Sequence, residues 1–76
     1  MNHFEIVNVY RQADLDAAVD GLRAAGYSVT VLPEERIETD APLVAVKKIV
    51  MGINWILYVR PVEDAPDTQV EEQVKE

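Results

Sequence analysis

The stretch Leu43-Val44-Ala45-Val46-Lys47-Lys48-Ile49-Val50-Met51 decides how this chain folds. Extended, it makes the element order β-α-β-β-β. Coiled, it makes it β-α-β-β-α-β. Val44, Val46, Ile49 and Val50 are β-branched. Such side chains lose rotamer freedom in a helix and fit a pleated surface. The expectation is therefore a strand. Lys47 and Lys48 fall on opposite faces of it, so one must reach the sheet rim or snorkel. Met51 and Gly52 then become the centre of a tight hairpin, without the stronger Asn-Gly signal.

Downstream, residues 53–60 alternate Ile53, Trp55, Leu57 and Val59 against Asn54, Ile56, Tyr58 and Arg60, and Pro61 follows. That pattern predicts the last strand. Upstream, residues 3–10 are rich in β-branched and aromatic side chains on both faces, which predicts a central first strand. Leu15, Ala18, Val19, Leu22 and Ala25 recur at helical spacing over residues 13–25. Asp14 is placed to cap that helix and Gly26 to stop it. Gly21, inside it, suggests a strand packed closely against it. Residues 27–32 return to period two and end at Pro33. Residues 33–41 read as an exposed charged connection with a short extended piece at Arg36–Thr39.

The fold expected is α+β and two-layered, one helix on a mostly antiparallel sheet of about four strands. A ferredoxin-like order, with residues 42–51 as a second helix, is the alternative. One short helix covers one sheet face only. Val7, Val9, Ile56 and Tyr58 then leave apolar surface on the other, which a partner or a twin subunit would cover.

The chain has 76 residues, enough for one domain. Residues 1–62 are read as that domain and residues 63–76 as an acidic tail, flexible or a marginal helix. The tail's Thr68 and Glu71 match a capping box, and Val70 and Val74 share a face. There is no cysteine and one histidine, which excludes disulfides, thiolate sites and His-rich metal sites. The net charge of −7 is uneven: eight acids face six bases up to residue 62, and six acids face one base beyond it. Direct nucleic-acid binding is disfavoured; a basic protein surface suits the charge. No apolar run approaches membrane-span length and the first residues lack a signal-peptide pattern, so a cytoplasmic protein is expected.

Asp14, Asp16 and Asp20 do not fit a calcium loop, since no glycine stands sixth and Ala25 replaces the closing glutamate. Glu34, Glu35, Glu38 and Asp40 lack the burial that would raise a carboxylate pKa for acid–base work, and suit an acidic partner-binding patch. His3 has no serine or acid at a triad spacing. Gly21 and Gly26 lie within and after a helix, not before one, so they make no phosphate loop. Lys47, Lys48 and Arg60 are too few for specific nucleic-acid binding. No catalytic residue, metal or cofactor is expected. Of Trp55 and Tyr58, one is expected in the core and the other partly exposed. Packing is the expected role of each and an interface anchor the alternative, on which both join the acidic residues as partner-binding candidates.

The function expected is a non-enzymatic protein-binding module, a small regulator or inhibitor whose acidic surface meets a basic partner. A sharper form is charge mimicry against a nucleic-acid-binding protein, as small phage-encoded inhibitors practise. The alternatives are a homo-oligomeric or small-ligand-binding domain, a homodimer pairing through the sheet, and a small enzyme whose site is shared between subunits.

Overall fold

The computed structural model describes residues 1–62; the tail, expected to be flexible or a marginal helix, lies outside the described residues. Six elements follow one another: β1 (Asn2–Val7), α1 (Gln12–Ala24), β2 (Val29–Leu32), β3 (Arg36–Thr39), α2 (Leu43–Ile53) and β4 (Tyr58–Pro61). The fold is two-layer α+β, as expected. The element order, however, is β-α-β-β-α-β, because the deciding stretch is a helix.

The reason lies in the lysines and in a second apolar period. Leu43, Val46, Val50 and Ile53 recur at three-, four- and three-residue steps, one stripe of a helix. Val46 and Val50 are completely buried. Each such burial contributes roughly 1.5–3 kcal/mol. The helix penalty of a β-branched residue is at most about 0.7 kcal/mol. A strand would have turned Lys47 or Lys48 toward the core. The helix leaves Lys48 exposed and Lys47 half-buried at the layer's edge. No hairpin forms at Met51 and Gly52; Met51 lies inside α2, and Ile53 ends it. The last strand accordingly shrinks to four residues.

The sheet order is β2-β3-β1-β4, every neighbouring pair antiparallel. β1 and β2 therefore run parallel with β3 between them, the split β-α-β arrangement of the ferredoxin-like plan. β1 is central, as its two-sided apolar pattern predicts. Phe4 and Ile6 of β1, Ile37 of β3 and Val59 of β4 point to one face, and all are buried. Both helices lie on that face. Leu15, Ala18, Val19 and Leu22 of α1 complete one core with Val46 and Val50 of α2.

The ends of α1 show what holds it. Its N-cap is Arg11, not Asp14, and no side chain caps it. Asp14 instead occupies the first turn, where a carboxylate complements the helix dipole. The Arg11 guanidinium grips it with Nε at 3.4 Å from one oxygen and Nη2 at 3.1 Å from the other. At the other end the Tyr27 amide donates to Leu22 O at 3.1 Å and the Gly26 amide to Arg23 O at 3.0 Å. That is a Schellman closure, and it requires the φ of +101° that Gly26 adopts. Gly21 faces a helix rather than a strand. A Cβ there would lie 3.0 Å from Ile49 Cγ2, so its absence lets α1 and α2 pack closely.

Candidate functional site

β1 and β2 end, and β3 and β4 begin, at the same end of the sheet. Three connections meet there: residues 8–11, the turn 33–35 and residues 54–57. They are tied to one another. Asn8 Nδ2 donates to Ile56 O at 3.0 Å, and Asn54 Nδ2 donates to Asp14 Oδ2 at 3.4 Å. The Ile6 amide donates to Glu35 O at 2.8 Å, which fixes the turn against β1. Asn8 leaves the strand at φ 70°, a left-handed value that asparagine tolerates better than most residues.

The side chains held at this end are large and exposed. Trp55 is 83% exposed and Tyr10 78%. Ile53 and Tyr58 are exposed at the same end. Neither Trp55 nor Tyr58 is in the core, against expectation. The helix runs to Ile53, so Trp55 falls in the loop after it and loses the strand alternation that would have buried it. Leu57 and Val59 take the core positions instead. Tyr58 faces away from the helices, level with Val7. The Lys47 ammonium lies 5.9 Å from its ring centroid, within cation–π reach.

The four acids expected to act together are separated by the fold. Glu34 and Glu35 form the β2–β3 turn at the aromatic end, at φ 64° and 56°. Among the described residues neither carboxylate is paired. Glu38 lies on the open sheet face, 3.5 Å from His3 Nε2. Asp40 is at the opposite end, where its Oδ1 accepts from the Ser28 amide at 3.0 Å. The cause is β3, which carries Glu38 and runs from the turn at Glu34 and Glu35 to Asp40 at the far end. Only Glu34, Glu35, Trp55 and Tyr58 of the six expected partner-binding residues share one end. Tyr10 joins them; its signal was an aromatic residue in a polar connection, read instead as the end of the first strand.

The open sheet face carries an ion pair beside apolar Val7, Leu32 and Tyr58. Arg36, Glu5 and Arg60 stand in one cross-strand row. Arg60 Nε and Nη2 donate to Glu5 Oε1 at 3.0 and 2.7 Å. Of the four apolar residues expected on this face, Val7 and Tyr58 are there. Val9 packs on the core from its loop, and Ile56 lies outside any strand. The outward residues of the two central strands are His3, Glu5, Val7, Arg36 and Glu38.

No protein-family model, curated protein or solved structure matches the chain. The remaining features therefore rest on geometry alone. Among the described residues no group of three or more metal-ligating side chains converges. Among them, too, no helix is long and apolar enough to cross a membrane. A cavity of about 490 Å³ opens at the end opposite the aromatic residues, between Met1, Phe4, Pro42, Leu43, Pro61 and Val62. Asn2 Nδ2, also on its wall, is already committed to Ala41 O at 2.9 Å. The aromatic end presents exposed amphipathic rings beside carboxylates that have no ionic partner among the described residues.

Proposed function

We propose that this chain is a non-enzymatic protein-binding module, a small regulator or inhibitor that engages its partner with the end carrying Trp55, Tyr10, Glu34 and Glu35. The observation that carries the reading is the 83% exposure of Trp55 on a loop hydrogen-bonded in place. An exposed tryptophan on a rigid support loses little entropy on docking, and interface hot spots are enriched in tryptophan and tyrosine. The carboxylates of Glu34 and Glu35 favour a partner with lysine or arginine around its apolar pocket. Held left-handed against the ordinary preference of glutamate, the turn is also strained in the way that recurs at binding sites.

Trp55 is the sole tryptophan, so its fluorescence reports the contact directly. The test uses wild type, Trp55→Ala and Glu34→Lys/Glu35→Lys as baits in lysate. Wild type should retain a stoichiometric partner whose release rises with salt, and each variant should lose it. With the purified partner, Trp55 emission should shift to the blue. Retention unaffected by either variant, or no partner at low salt, would end this reading.

A further inference from the structure

The outer surface of the helical layer carries two lines of residues directly opposite the buried stripes. On α1 the line is Ala13, Ala17, Asp20 and Ala24; on α2 it is Val44, Lys48 and Met51. Val44 is 74% exposed and Met51 43%, which is unusual for the solvent face of a helix. α1 bears three acids and one base, whereas α2 bears two lysines and no acid. One line is thus small with a negative charge. Its neighbour is large with a positive one.

We infer that this layer pairs with the same layer of a second copy, α1 of each chain lying on α2 of the other. The two helices run antiparallel within one chain, and the Gly21–Ile49 and Asn54–Asp14 contacts fix their levels. A two-fold axis parallel to the helices keeps those levels and exchanges the lines. Lys48 of one copy then meets Asp20 of the other, Met51 meets Ala17, and Val44 meets Ala24. Each larger apolar side chain faces an alanine, and Asp20 and Lys48 face one another, twice by symmetry. An axis perpendicular to the helices and level with Asp20 and Lys48 would set each against its own copy, so charge favours the first arrangement. This interface leaves the loop end open and displays two copies of it on the same side of the dimer. It does not depend on the partner-binding reading above.

Sedimentation of the full chain from about 1 μM to about 1 mM spans weak to moderate association. The mass should rise from 8.5 kDa toward twice that value. Asp20→Lys and Lys48→Asp alone should each weaken the dimer about tenfold or more, since two attractive pairs become repulsive. Mixed together, the two variants should form a heterodimer, because both pairs are then complementary again. Val44→Asp is a second disruptor that the first turn of α2 tolerates, an acid being favourable there. A wild-type monomer throughout, reversal variants that dimerise like wild type, or a mixture that fails to associate would each overturn the inference. A dimer insensitive to all three substitutions assigns pairing to another face, the sheet included.

Discussion

Glu34 and Glu35 occupy consecutive left-handed positions in a turn whose favoured residues are Asn and Gly. A left-handed L-residue costs roughly 1–2 kcal/mol, because Cβ crowds the following carbonyl oxygen. Glu34→Asn with Glu35→Gly should therefore raise stability by about 1 kcal/mol or more. The readout is a higher urea midpoint at unchanged slope. The same double variant should bind the partner less tightly, since both carboxylates are gone. A more stable protein with undiminished binding would separate the strain from the function. Gly26 presents the opposite case. At φ +101° an alanine there is strained, and Gly26→Ala should lower the urea midpoint by the equivalent of about 1 kcal/mol.

α2 is where local preference and tertiary packing disagree, and packing prevails. In a strand, Val44 and Val46 would share a face and be equally costly to truncate. In the helix Val46 is buried and Val44 is exposed. Val46→Ala should cost about 1.5–3 kcal/mol, while Val44→Ala should stay within about 0.5 kcal/mol in dilute solution. Equal effects would favour a strand. Gly21→Val probes the helix–helix contact, where the first added atom already meets Ile49 at 3.0 Å. It should destabilise by about 1–3 kcal/mol through overpacking. α1 was legible because its apolar stripe and Gly26 agree, and β1 because it is rich in β-branched and aromatic residues. α2 was misread because its β-branched content outweighed the lysines that no strand could place. At the site, Glu34 and Glu35 were legible as exposed acids, but Glu38 and Asp40 were not separable from them. Separating them required knowing that Arg36–Thr39 was a full strand of the sheet. Trp55 was legible as a residue that could stand outside the core; its lack of any core role followed from where α2 ends.

Charge belongs to the molecule as a whole. Removing residues 63–76 changes the net charge from −7 to −2. Long-range attraction to a basic partner is screened within about 10 Å at 0.1 M salt. The shortened chain should therefore associate more slowly at low salt and no differently at high salt, as stopped-flow Trp55 fluorescence would show. An unchanged slope against salt would place all the relevant charge in the folded part.

β1 has one further consequence, for how the chain is made. It pairs with β3 on one side and β4 on the other, joining Phe4 to Pro61. Ribosomes add about 5–20 residues per second, so the partner of Phe4 is synthesised roughly 3–11 s after it. Until then Phe4, Ile6, Leu15 and Leu22 have no complete core to enter, and a nascent-chain chaperone has seconds in which to hold them. β4 closes the edge of β1, so the pairing of these two strands waits until Pro61 has been made.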